Sequence, residues 1–168
     1  VQPYRKDLDQ FCGHLNRCCV EYLIVGGLAV NYHGFQRATG DIDIWYNPAK
    51  ENYANLLIAI QAMGFETKDI EKQKYYELKG VVRLPLERYT IELLSIIDGK
   101  FTFMDAYQKA EKVKLINEVG LVMSYDFLIK NKIMTRRPKD LEDIRQLELR
   151  RSQSEKENKW KSFLGFWR

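Results

Sequence analysis

Two aspartates, Asp41 and Asp43, sit inside an apolar run, Asp41-Ile42-Asp43-Ile44-Trp45-Tyr46. Side chains alternate along a strand, so both carboxylates share one face, roughly 6–7 Å apart at Cα, and Ile42 and Ile44 face the other way. Such a pair can bridge two divalent ions roughly 3.5–4 Å apart, the geometry that transfers phosphoryl or nucleotidyl groups. Mg²⁺ suits it, because that ion takes oxygen ligands and binds through few carboxylates plus substrate phosphates. The plainer alternative is two solvated aspartates on an exposed face, and Asp-x-Asp taken alone favours it.

A glycine pair changes that balance. Gly26-Gly27 follow the apolar run Tyr22-Leu23-Ile24-Val25 and open a short helix, Leu28 to His33, closed by Gly34. Backbone N–H groups at such a turn, with no side chain in the way, can cradle phosphate oxygens. A third carboxylate, Glu92, interrupts Tyr89-Thr90-Ile91-Glu92-Leu93-Leu94. If that run lies beside the first strand, Glu92 completes the metal site or takes a proton from an attacking hydroxyl. If it lies apart, Glu92 is a surface residue on a sheet edge. Arg37 and Thr39 occupy the loop between glycines and aspartates. Arg37 either reaches phosphate or locks that loop onto a nearby carboxylate.

A second charged cluster runs from Lys130 to Asp143. Lys132 is a candidate for neutralising triphosphate charge, with Arg136, Arg137 and Lys139 as further phosphate-side candidates. Asp140 and Asp143 fall at i and i+3 on one helix face, where they suit a structural role that orients a lysine or arginine. Asp140 in the first turn also favours the helix dipole.

These residues need a mixed set of elements to bring them together. Tyr4 to Cys19 reads as a helix with apolar residues at Phe11, Leu15 and Cys18/Cys19. Glu21 to Val25 and Asp41 to Tyr46 read as strands. A helix follows from Pro48 to about Met63, ended by Gly64. Lys74–Lys79 and Arg88–Ile97 read as strands separated by Gly80 and Pro85, with a turn at Asp98-Gly99. Phe103–Ala110 reads as a short helix. Lys112–Ile116 and Leu121–Met123 are short β-like runs. Ser124 caps a helix to about Met134, and Pro138 opens another to about Arg151. The tail carries apolar residues at 160, 163, 164 and 167, a helical spacing that Gly165 weakens.

The chain has 168 residues, the size of one domain with a full core. We expect a single domain over 1–151 and a basic aromatic tail over 152–168. Net charge is +4, and residues 150–168 carry all of it, so the body is neutral. A body-wide nucleic-acid surface is therefore not expected. The apolar runs are too short to span a membrane and no leader-like segment is expected. Cys12, Cys18 and Cys19 are odd in number and clustered, which reads as reduced thiols in a cytoplasmic protein.

Gly26-Gly27, thirteen residues, then Asp41-Ile42-Asp43-Ile44 resembles the signature of the DNA polymerase β-type nucleotidyltransferase superfamily. The run Gly34, Arg37, Thr39, Asp41, Asp43 is similar to its small bacterial branch of minimal and abortive-infection-type toxin nucleotidyltransferases. The stretch Lys132 to Asp143 resembles that branch's C-terminal Lys…Arg-x-Lys-Asp-x-x-Asp pattern. The resemblance covers roughly Glu21 to Ile97 well. It implies an α+β nucleotidyltransferase fold, a short mixed sheet flanked by helices with further helices at the C-terminus. It implies Asp41, Asp43 and Glu92 as catalytic carboxylates binding two Mg²⁺. It also implies nucleotide contacts from Gly26, Gly27, Arg37, Thr39 and Lys132. Gly27 stands where many members have serine, and Glu92 where aspartate is usual.

The expected activity is Mg²⁺-dependent transfer of a nucleoside monophosphate from an NTP to a hydroxyl acceptor. That acceptor is RNA (such as a tRNA 3′ end), a protein or a small molecule. A toxin–antitoxin setting fits the branch, with the tail as the contact for an antitoxin or a second copy. The alternative is a non-catalytic nucleotide-binding or protein-interaction module of the same fold.

Overall fold

The computed structural model describes residues 4–73 and 80–165, with side chains described from residue 5 to residue 157. The expected strand over Lys74–Lys79 lies outside the described residues, as do the aromatic side chains of the tail. Helix α1 (Tyr4–Arg17) leads into β1 (Tyr22–Ile24), α2 (Gly26–Tyr32) and β2 (Asp41–Tyr46). Helices α3 (Lys50–Ala62) and α4 (Lys68–Lys72) precede the hairpin of β3 (Val81–Pro85) and β4 (Thr90–Leu94). Helix α5 (Phe103–Tyr107) then leads to a second hairpin, β5 (Glu111–Lys114) and β6 (Val119–Val122). Helices α6 (Tyr125–Thr135) and α7 (Pro138–Gly165) close the described chain.

The strands form one mixed six-stranded sheet, ordered β3-β4-β2-β1-β6-β5. β2 pairs antiparallel with β1 and parallel with β4. Burial sets the register. Ile42 and Ile44 of β2 and Ile91 and Leu93 of β4 are fully buried, and they pair Ile42↔Ile91 and Ile44↔Leu93. Each such side chain contributes about 1.5–3 kcal/mol by leaving water. Their alternating neighbours, Asp43 and Glu92, are thereby carried to the opposite face as directly paired residues.

On the core side, α1 buries Leu8, Phe11, Cys12 and Leu15 at helical spacing. From the same helix, buried Asp9 accepts the backbone N–H groups of Ile116, Asn117 and Glu118 at 3.0, 2.8 and 3.0 Å. This clamp ties the β5–β6 turn to the first helix. Trp45 is nearly buried at the end of β2, and its indole N–H donates to the Ser95 carbonyl at 3.2 Å.

Three differences from the sequence reading have physical reasons. The sequence reading places Gly80 and Pro85 between two strands and assigns no strand to 81–85. β3 is an edge strand, and Pro85 ends it, where a missing N–H is tolerated. The short α4 was not anticipated, and its five residues bury no side chain. α7 runs on past Arg151 for a total of 28 residues, about 42 Å at 1.5 Å per residue. Its residues 148–157 are all exposed, so no apolar periodicity marks the extension. Among the described residues no helix is long and apolar enough to cross a membrane, and the cysteines are free thiols.

Candidate active site

Gly26 adopts φ +60°, a left-handed conformation that non-glycine residues rarely tolerate. A Cβ there would also lie 2.0 Å from Asp43 Oδ2. Gly26 is therefore required twice, by its backbone angle and by the approach of the carboxylate. Beside it, the Gly27 N–H donates to Asp43. A Cβ on Gly27 would lie 2.6 Å from Thr39 Oγ1 and 2.9 Å from Thr39 Cβ. Thr39 thus fills the space that a serine at position 27 would need. Its hydroxyl donates to the Asp41 carbonyl at 3.1 Å.

Asp41 and Asp43 lie on the face away from Ile42 and Ile44, and Glu92 stands beside Asp43 across the parallel strand pair. Burial pushes the Asp43 carboxyl above its ordinary range, and the nearby Glu92 adds to this. The Gly27 N–H opposes the rise, Asp41 adds to it, and Lys139 opposes it. The crowding is what a divalent cation would relieve, and three hard oxygen ligands fit Mg²⁺. Among the described residues no three His, Cys, Asp or Glu side chains are gathered to hold an ion. Arg83 of β3 donates from Nε to Glu92 Oε1 at 2.8 Å, on the side of Glu92 away from β2. Arg83 escaped the sequence reading because β3 did. The alternation Val82 in, Arg83 out, Leu84 in is the signal that could have found it.

The second cluster is built differently. Arg37 is locked onto a carboxylate: its Nε and Nη2 donate to Asp143 Oδ1 and Oδ2 at 2.7 and 2.9 Å. Lys132 is 3% exposed and donates to Asp140 Oδ1 at 3.1 Å and Asp143 Oδ2 at 2.7 Å. Asp140 also accepts from the Thr135 hydroxyl at 2.8 Å and from Arg137 Nε at 2.7 Å. Burial pushes the Asp140 carboxyl up, yet the hydrogen bonds from Arg137, Thr135 and Lys132 outweigh it and hold it well below the usual range. Arg136 ends α6 in a left-handed conformation, φ +48°, and turns the chain so that Pro138 starts α7. Asp140 and Asp143 thus orient cations, and Arg37 and Lys132, expected at the nucleotide, are held by carboxylates.

Both clusters line one cleft of about 260 Å³, together with Gly26, Gly27, Thr39, Ile96, Ile97 and Asn131. Larger hollows of about 660 and 760 Å³ lie elsewhere, around His33 and Arg151 and around Phe127 and Lys130. The smaller cleft is the one that joins the glycine turn, the strand carboxylates and the cations. His33 stays outside it as the cap of α2, with Nε2 at 2.8 Å from the Met123 carbonyl. Trp45 and Tyr46 pack in the core.

The architecture is an α+β nucleotidyltransferase fold, a mixed six-stranded sheet with seven helices among the described residues. Two solved structures of low sequence identity share it. The antibiotic-resistance factor ANT(2'')-Ia is 12% identical, matches over 98% of this chain and 97% of its own, and superposes with a TM-score of 0.56. An antigenic nucleotidyltransferase-like protein from Paracoccidioides brasiliensis is 14% identical, matches over 87% of this chain and 76% of its own, with a TM-score of 0.52. At these identities the likeness shows the fold, and it does not single out the small bacterial toxin branch. Comparison with family models finds no match, and neither does comparison with curated protein sequences.

Proposed function

We propose that this chain is a nucleotidyltransferase that moves a nucleoside monophosphate from an NTP to a hydroxyl acceptor. The observation that carries this reading is the strand register that sets Asp43 beside Glu92, with Asp41 two residues before Asp43, over the Gly26-Gly27 turn. Asp41, Asp43 and Glu92 would hold Mg²⁺, which supplies charge neutralisation and polarisation at the triphosphate. The chain's own residues do the rest. The Gly26-Gly27 turn lets Asp43 and Thr39 pack against its backbone, and the triphosphate would be received in the cleft beside it. Thr39 borders that cleft. Arg137 and Lys139 line the cleft near Asp43 and supply positive charge for the triphosphate. Arg37 and Lys132 contribute by tying the loop before β2 to α6 and α7.

In the reaction the acceptor oxygen attacks the α-phosphorus, the bond to the β-phosphate bridging oxygen breaks, and pyrophosphate leaves. The hydroxyl proton goes to a strand carboxylate, for which Glu92 is the candidate. The acceptor is RNA (such as a tRNA 3′ end), a protein or a small molecule. A toxin role with an antitoxin partner is supported by the Gly34–Asp43 run, and a cytoplasmic setting by the free thiols Cys12, Cys18 and Cys19. Labelled NTP offered with Mg²⁺ and pooled RNA, protein or small acceptors tests the reading. Transfer by wild type and its loss in Asp43→Ala is the expected result; no transfer to any class sinks it.

A second reading, a nucleotide-binding module without catalysis, is favoured by two departures from the resembled pattern, Gly27 in place of serine and Glu92 in place of aspartate. Calorimetry with NTP and Mg²⁺ separates the two. Tight binding without turnover supports the second.

A further inference from the structure

Burial alternates along β3, with Val82 and Leu84 inward and Arg83 outward. Arg83 stands opposite Glu92 in the antiparallel pair β3–β4, and Glu92 stands opposite Asp43 in the parallel pair β4–β2. Directly opposite residues share a face. Three neighbouring strands, about 4.8 Å apart, thus set Arg83, Glu92 and Asp43 in a row. Glu92 is in the middle and leans one way: its Oε1 accepts from Arg83 Nε at 2.8 Å. Among the described residues Asp41 and Asp43 have no such ion pair, whereas Asp140 and Asp143 have several.

We propose that Arg83 is the resident counter-ion of Glu92, exchanged for a divalent cation when the nucleotide site fills. This rests on reading Asp41, Asp43 and Glu92 as the metal ligands. Three carboxylates on one sheet face repel one another, and the guanidinium on the third strand neutralises Glu92. Arg83 reaches Glu92 from β3, and Asp43 stands across from it on β2. A divalent ion held by Asp41, Asp43 and Glu92 would compete with Arg83 for Glu92, so the two cations would alternate.

Exposure sets how readily they exchange. The Arg83 side chain is 63% exposed and that of Glu92 22%, so water screens the pair and can solvate the released guanidinium. A glutamate suits a residue that must serve two partners on opposite sides, since its extra methylene gives it the reach. No covalent bond changes; the step is the exchange of one cation for another on a single carboxylate.

Mn²⁺ is the probe, and free Mn²⁺ is read by electron paramagnetic resonance as the full chain is titrated. Arg83→Ala is expected to bind Mn²⁺ about two- to fivefold more tightly than wild type, the range an exposed pair supports. Arg83→Lys keeps the charge and is expected to stay near wild type. In a Glu92→Gln background, Arg83→Ala is expected to change affinity by less than about twofold, since the pair is already broken. Unchanged or weaker binding in Arg83→Ala overturns the proposal. An equal gain in the Glu92→Gln background also overturns it, by showing only a long-range charge effect. Absence of Mn²⁺ binding in both wild type and Arg83→Ala overturns it too. Thermal melts of each variant exclude misfolding, and Arg83→Gln serves if Arg83→Ala is unstable. NTP transfer is scored separately: wild type that gains no label but shows the Mn²⁺ pattern ends the transferase reading and leaves the exchange standing.

Discussion

Around Lys132, two carboxylates meet three cations, and each of the four carboxylate oxygens accepts at least one hydrogen bond from Arg37, Lys132, Thr135 or Arg137. Around Asp43, three carboxylates share a strand face, and the Arg83 guanidinium pairs with one of them. The two regions line the same cleft and use the same residue types. The first is a closed account of donors and acceptors, which is what lets Lys132, Asp140 and Asp143 be buried at all. The second keeps unsatisfied negative charge in a partly buried place. A fold tolerates that where an incoming cation and an anionic substrate supply the missing partners. The difference separates residues that hold the cleft together from residues that stay available to a ligand.

The contrast breaks most visibly in stability. Asp143→Ala leaves Arg37 and buried Lys132 without their shared partner and is expected to cost about 3–5 kcal/mol in urea unfolding. A cost below about 1 kcal/mol means the lock is not one. Gly27→Ser forces its Cβ against Thr39 and is expected to cost about 1–3 kcal/mol, with much of it recovered in Gly27→Ser/Thr39→Gly. If the double variant is no better than the single, the clash with Thr39 is not the reason for glycine.

Acid titration reads the two clusters with opposite sign. Asp140 is held below its ordinary value in the folded chain, so its stabilising effect is full above about pH 4, its unfolded range, and is lost as pH falls further. Asp43 is pushed above its ordinary value, so the folded chain favours its protonated form, and stability falls as pH rises through that range. Asp43→Asn is therefore expected to raise the melting temperature at pH 7 without divalent ions, by a few degrees at most. The gain should close on acidification, and Mg²⁺ should stabilise wild type alone. An Asp43→Asn protein that melts lower than wild type at pH 7 without divalent ions contradicts the crowding argument. The smallest effect belongs to Arg145→Ala, which removes an exposed pair with Glu142 on α7. No measurable change in melting temperature is expected.

The placement of the strand carboxylates and the glycine turn was legible in the sequence. β2 spans Asp41–Tyr46 as the apolar run predicted, and strict alternation put Ile42 and Ile44 in the core. Gly26-Gly27 marked the turn, because glycine where a strand ends points to a special backbone angle. The holding cluster was half legible. The spacing of Asp140 and Asp143 said that they orient cations, but Lys132 is a residue type normally left in solvent. Its burial depends on partners 8 and 11 residues away, supplied only once α6 folds back on α7. β3 and Arg83 were hidden because Gly80 and Pro85 are local breakers, and it takes the neighbouring β4 to show that Pro85 ends an edge.

The shared register of β2 and β4 also constrains how this gene can change length. Because Ile91 and Leu93 fill the core and Glu92 faces the cleft, one codon gained or lost within β4 would exchange the faces of the residues beyond it. Glu92 would turn inward, or the apolar pair would turn out. Insertions are far better tolerated in the loops on either side, where no alternation has to be kept. In this strand it is the number of residues, as much as their identity, that keeps the two faces apart.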